Sequence, residues 1–330
     1  RWEYLRESIR MILTLNIAGF PFAGSDVGGF FQNPDKKLLT RWYQTGIWYP
    51  FFRAHSHIDS RRREPYLAEE PYRSYISDAL KLRYKLLPIF YTLFHQTSIS
   101  GSPVLKPMFY EYPSNGEAYS IDDQFFLSDL LVKPVMEQDL NTVKMYLPDD
   151  KKYYNFFNLD NVLQGKGYHY NISAEINEIP VFLREGSILP TKQRYRRSTK
   201  LMRYDPYTLY VTLDSAAKSA SGELYIDDGE SFGYRDSDDF LLLNFTVENG
   251  DTISSKVIAG SSSKPFTASL SEVKVEKIII AGAESKQRED AEIRQDGNTW
   301  TSEIQKQNDS TVLSIRNPAI AINKEWVIKF

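Results

Sequence analysis

The chain has 330 residues, no cysteine and a formal net charge of −3. That length calls for two or three domains, and the absence of cysteine excludes a thiol nucleophile, a disulfide framework, a cysteine-ligated zinc finger and an iron–sulfur cluster. The slight negative charge argues against a nucleic-acid binder, and no apolar run of about 18 residues is present to span a membrane as a helix.

Charge is unevenly spread. Residues 1–110 hold 15 Lys+Arg against 9 Asp+Glu, while residues 111–330 hold 25 against 34. Such a shift predicts different architectures in the two parts. Residues 2–15 place Trp2, Leu5, Ile9, Ile12 and Leu13 three and four apart, the spacing of one helix face. The chain therefore reads as helix from its first residues, with no leader peptide pattern, and is expected to begin inside a larger unit. Ile17–Phe22 is a short apolar run before Gly24-Ser25-Asp26 and predicts a buried strand followed by a loop. Residues 35–48, led by Pro34-Asp35, predict a second helix, and 73–99 a long third one kinked at Pro88. Residues 103–110 predict a strand. This alternation is the grammar of an α/β barrel.

After about residue 122 short alternating runs replace helices. They include Thr142–Leu147, Val181–Leu183, Tyr207–Leu213, Gly222–Ile226, Val273–Ile280 and Trp326–Phe330. Turn-rich pieces separate them, a pattern of antiparallel β-sandwiches. A basic stretch with Lys192, Arg194, Arg196, Arg197 and Lys200 marks a break between two such domains. The expected organisation is a partial barrel at 1–122, a proximal β-sandwich at 123–197 and a distal one at 198–330.

The chemistry-bearing residues lie early. Asp26 sits in Gly24-Ser25-Asp26-Val27-Gly28-Gly29-Phe30-Phe31, at the end of the predicted strand where such barrels place their active sites. Its carboxylate can accept hydrogen bonds from sugar hydroxyls, and Phe30 and Phe31 offer faces for a sugar ring. The plain alternative is an aspartate in a glycine-rich turn. Phe51–His57 supplies Arg53 and His55 as donors near Asp26, with Arg53 keeping the carboxylate ionised; the plain alternative is a structural ion pair. His55 and His57 lack the third ligand a catalytic zinc needs, so no metal is called for. Arg61-Arg62-Arg63 reads as a solvated basic loop, and Trp42, Tyr43, Trp48 and Tyr49 as core. The acid pairs Asp122-Asp123 and Asp227-Asp228 point their side chains to opposite strand faces and cannot serve as an acid–nucleophile pair. Three Asn-x-Ser/Thr sequons occur, at Asn171, Asn244 and Asn308; they permit a secretory address without establishing one.

Taken together, GSDVGGFF (24–31), RAHSH (53–57), RREPYL (62–67), RYKLLPIFYTLF (83–94) and PVLKPMFYEYP (103–113) resemble glycoside hydrolase family 31, as do the later IPVFLREGSILP (179–190) and ELYIDDGESF (223–232). Arg53-Ala54-His55 departs from the Arg-Asn-His of most of the family and is similar to one branch of it. That resemblance implies the C-terminal portion of a (β/α)8 TIM barrel followed by two antiparallel β-sandwich domains. It implies a retaining α-glucosidase that trims α-1,3-linked glucose from N-linked oligosaccharides in the endoplasmic reticulum lumen, with a regulatory β subunit as partner and no cofactor. Asp26, Phe30, Arg53 and His55 would surround the glucose. The family's nucleophile and acid/base aspartates lie in Trp-x-Asp-Met-Asn and Gly-Asp-Asn-Thr-Ala segments, which do not occur here and are expected upstream of Arg1. The alternatives are another family 31 α-glycosidase, or a non-catalytic carbohydrate-binding β-sandwich module.

Overall fold

The computed structural model describes residues 1–283, 289–306 and 310–330. The helices are α1 (Trp2–Ile17), α2 (Lys36–Gly46) and α3 (Tyr72–Ser100), with short helical turns elsewhere. The strands are β1 (Leu105–Pro107), β2 (Phe125–Leu127), β3 (Leu130–Val132), β4 (Thr142–Leu147), β5 (Lys152–Asn155), β6 (Val162–Gln164), β7 (Tyr168–Ser173), β8 (Val181–Arg184) and β9 (Ser187–Thr191). Then follow β10 (Tyr207–Thr212), β11 (Ala220–Ile226), β12 (Leu241–Glu248), β13 (Thr252–Gly260), β14 (Val275–Ala281), β15 (Asp290–Gln295), β16 (Asn298–Lys306), β17 (Leu313–Arg316) and β18 (Trp326–Lys329). Two compact units emerge: residues 1–83, 93–150 and 164–182, and residues 84–92, 151–163 and 183–330. No helix among the described residues is long and apolar enough to cross a membrane.

In the first unit the sequence periodicity is realised directly. Leu5, Ile9, Ile12 and Leu13 form the buried face of α1. Asp35 caps α2, its carboxylate accepting from the Leu38 amide at 2.8 Å. Trp42, Tyr43, Trp48 and Tyr49 are all buried, and desolvation raises the Tyr43 hydroxyl to about 12. The long α3 runs unbroken through Pro88 and ends at Gly101, whose φ of 74° is a left-handed cap. A buried Arg41 on α2 donates to the carbonyls of Ala174, Glu178 and Leu140, stapling the helix to two loops. Strand β2 pairs antiparallel with both β1 and β3, and β4 pairs with β7 as a two-stranded ribbon.

One expectation fails here. Ile17–Phe22 is not a buried strand: the helix continues to Ile17, and Phe20 and Phe22 are each 65% exposed. Pro21 has no amide hydrogen to give to a ladder. Backbone pairing begins only at Ala23, whose carbonyl accepts from the Phe51 amide at 3.0 Å.

The second unit also differs from an open, all-antiparallel sandwich. Strands β9 to β18 close into a ten-stranded barrel in the order β10-β14-β17-β16-β15-β18-β13-β12-β11-β9. The closing strand is β9, antiparallel to β10 along its length and parallel to β11 at Ser187↔Ser221. A second parallel pairing, β10 with β14, sits beside it. Alternation explains the interior: on β12, Leu241, Leu243, Phe245 and Val247 point inward and join Leu209, Ile253, Ile278, Ile293 and Ile328 in one core.

Candidate functional site

The site is built where two backbone segments of the first unit run side by side. Ala23 accepts from Phe51, and the Val27 amide donates to the Arg53 carbonyl at 2.9 Å. These rungs form an isolated bridge that sets Asp26 beside Arg53. The approach is tight enough to require glycine at 24, since a Cβ there would lie 1.9 Å from the Phe51 carbonyl oxygen. Past Asp26 the chain reverses through Gly28 and Gly29, with φ of 92° and 83°, which delivers Phe30 back over the second segment. The His57 amide closes the loop by donating to the Phe30 carbonyl at 2.8 Å.

The side chains follow from this backbone. Arg53 Nε donates to Asp26 Oδ1 at 2.6 Å. Asp26 is only 15% exposed and Arg53 51%, so the carboxylate is the sheltered partner. Among the described residues no protein donor is recorded at Asp26 Oδ2, leaving its lone pairs for an incoming hydroxyl. The Phe30 ring stands 5.4 Å from the His55 ring, tilted by 37°, and 4.6 Å from Phe31 edge to face. A cavity of about 1080 Å³ opens against Asp26, Gly28, Phe30, Trp2, Tyr4 and Trp42. The four predicted residues are thus brought together: Asp26 with Arg53, and Phe30 with His55, on adjoining loops.

The sequence reading missed Arg63. It is not a solvated residue: its guanidinium donates to the Gly28 carbonyl at 3.1 Å, to the Gly29 carbonyl, and to the His55 carbonyl at 3.3 Å. Burial lowers its pKa, yet a guanidinium stays charged. Its neighbour Arg62 does behave as expected, paired with Glu64 at 2.8 Å on the surface. The cue separating the two was only the proximity of glycine-rich carbonyls. The paired acids are structural: Asp122 binds Arg10 at 2.8 Å and Asp123 binds Lys133, Asp227 accepts from the Tyr91 and Tyr225 hydroxyls, and Asp228 caps the amides of Glu230 and Ser231. Among the described residues no group of three or more His, Asp or Glu is placed to hold a metal.

Comparison with known proteins gives consistent results. The family model described as "Glycosyl hydrolases family 31 TIM-barrel domain" matches residues 1–93, and "Glycosyl hydrolase family 31 C-terminal domain" matches residues 101–189. "Neutral alpha-glucosidase AB" of Dictyostelium discoideum is 41% identical over 332 residues, covering all of this chain and 34% of that protein. "Glucosidase 2 subunit alpha" of Schizosaccharomyces pombe is 43% identical over 292 residues, covering 86% of this chain and 31% of that protein. A crystal structure of a Tris-bound glucosidase II alpha subunit superposes with a TM-score of 0.96 at 42% identity, covering all of this chain and 36% of that one. The chain spans about a third of the length of these relatives. A family 31 dextranase at 23% identity and a TM-score of 0.79 shares the fold.

Proposed function

We propose, from the premise that this chain belongs to glycosyl hydrolase family 31, that it forms the glucose-pocket portion of a retaining exo-α-glucosidase. The substrate is α-1,3-linked glucose on N-linked oligosaccharides, removed in the endoplasmic reticulum lumen during glycoprotein folding. The names of its relatives support the reading: glucosidase 2 subunit alpha in fission yeast, and probable glucan 1,3-alpha-glucosidase in Arabidopsis thaliana. The proposed organisation is a partial catalytic barrel at 1–122, a proximal β domain at 123–197 and a distal one at 198–330. A regulatory β subunit is the proposed partner, because one similar structure is a glucosidase II heterodimeric complex with the binding domain of its regulatory subunit.

The observation that carries this function is the Asp26–Arg53 pair at the edge of the cavity, with one carboxylate oxygen committed to Arg53 and the other left for a ligand. The Arg53 guanidinium holds one oxygen of Asp26, and a carboxylate accepts from sugar hydroxyls more strongly than a neutral group would. His55 adds a donor, and Phe30 walls the ring with an apolar face. As glycosidic cleavage flattens the sugar toward an oxocarbenium ion, hydroxyl contacts of this kind tighten in the transition state. The nucleophile and acid/base aspartates are assigned to family segments upstream of Arg1, and no carboxylate of this chain takes their place.

The test is Asp26→Asn in the polypeptide that joins this chain to those upstream segments. Losing a charge-assisted hydrogen bond of about 2–3 kcal/mol lowers kcat/KM on an α-glucoside by roughly 30–150-fold. A value near wild type refutes the pocket assignment.

A further inference from the structure

The sequon at Asn171 is presented for modification by the fold. Asn171 and Ser173 lie on β7, which with β4 makes a ribbon of only two strands. Between them Ile172 turns inward to pack with Val135, Val143 and Ala174, so the residues on either side turn outward. Asn171 and Ser173 are both exposed, as are their cross-strand partners Lys144 and Thr142. A polar cavity of about 440 Å³, lined by Asn171, Thr142, Lys144 and Asp122, adjoins this face.

The described residues of the other two sequons are engaged. Asn244 is half-buried on β12, held between Glu223 of β11 and Lys256 of β13, and its Thr246 hydroxyl lies 3.0 Å from that of Ser254. Asn308 lies outside the described residues, but the Ser310 hydroxyl that completes its sequon is 9% exposed and donates to the Asp160 carboxylate at 2.9 Å. A linked glycan is bulky and hydrated and must remain in solvent once the chain folds. Its attachment also needs a free amide and hydroxyl two residues apart, the reason for the Asn-x-Ser/Thr spacing.

We infer that Asn171 is an N-glycosylation site, with its first sugar seated against the Thr142–Lys144 face. The inference rests on the secretory-pathway reading above. The donor is a lipid-linked oligosaccharide diphosphate. Asn171 Nδ2 bonds to C1 of its reducing-end sugar, the bond from C1 to the diphosphate oxygen breaks, the lipid diphosphate leaves, and the amide gives up one proton.

The full-length polypeptide, carrying a heterologous signal peptide, is translated in the presence of microsomes and treated with peptide-N-glycosidase, which converts a glycosylated asparagine to aspartate. The expected result is aspartate at 171, loss of one glycan step in Asn171→Gln and Ser173→Ala, and retention of it in Ser173→Thr. A translocated chain unmodified at 171, or one that keeps all its glycan steps in Asn171→Gln, overturns the site. Protease protection of the native, untagged protein in microsomes reads the proposed location separately, so the two failures are distinguishable.

Discussion

Arg63 holds three carbonyl oxygens from two loops with a single guanidinium, and those loops carry Phe30 and His55. Lysine cannot reproduce that fork. Arg63→Lys in the complete enzyme is therefore expected to leave carbonyls short of donors, at about 1–3 kcal/mol, and to cut kcat/KM at least tenfold, whereas Arg62→Lys leaves it unchanged. Equal kinetics for the two variants would show that Arg63 does not position the pocket. Asp205 allows a pH test. Arg196 grips it with two hydrogen bonds at 2.6 and 2.9 Å, and the side chain is 7% exposed. The hydrogen bonds from Arg196 hold its carboxyl below the ordinary range. A lowered folded-state pKa contributes stability that is present above the unfolded value of about 3.9 and is lost as pH falls through the folded one. Asp205→Asn is expected to lower stability by about 1–2 kcal/mol at neutral pH, since Arg196 is partly exposed, and to flatten the loss of Tm as pH falls below about 4. An unchanged acid limb in the variant would contradict this. At this scale the sequence was readable where a motif concentrated chemistry, as at Asp26 and Arg53. Arg63 was not readable, because a run of three arginines does not reveal which of them meets buried carbonyls.

Elements show the same division. Helices α1 and α2 were legible because apolar spacing and the Asp35 cap act within a few residues. The stretch before Asp26 was misread because an apolar run without periodicity suits a strand, while Pro21 within it lacks a ladder amide and its pairing partner, residues 51–53, lies elsewhere in the chain. The contact of Gly24 with the Phe51 carbonyl is the element-scale control on the pocket: it sets how closely the Asp26 segment lies on the Arg53 segment. Gly24→Ala must push the two apart, since 1.9 Å is far inside van der Waals contact. The expected result is a loss of kcat/KM exceeding tenfold together with about 2 kcal/mol or more of stability. A crystal structure of the variant retaining the 2.6 Å Asp26–Arg53 bond would refute the argument.

For the whole molecule, the change from helical to alternating patterning near residue 122 was plain in the sequence. Closure of the ten-stranded barrel was not, because it depends on pairings such as Ser187↔Ser221 and Tyr207↔Val275 between residues far apart in the chain. Local alternation makes a strand's faces legible but not its neighbours. If the reactive carboxylates lie outside this chain, as proposed, the chain expressed alone is expected to show no turnover of a chromogenic α-glucoside; measurable hydrolysis by the purified chain would overturn that proposal. The complete enzyme is expected to keep its activity in excess chelator.

The place of β18 in the barrel has a consequence for biosynthesis. Trp326–Lys329 lies between β13 and β15 and pairs with both, and Phe330 is buried. A ribosome making this chain exposes the outer edges of β13 and β15 long before the strand that joins them emerges. The barrel is thus sealed by the last of its strands in chain order, and a premature stop ahead of that strand leaves two open edges for chaperones to find.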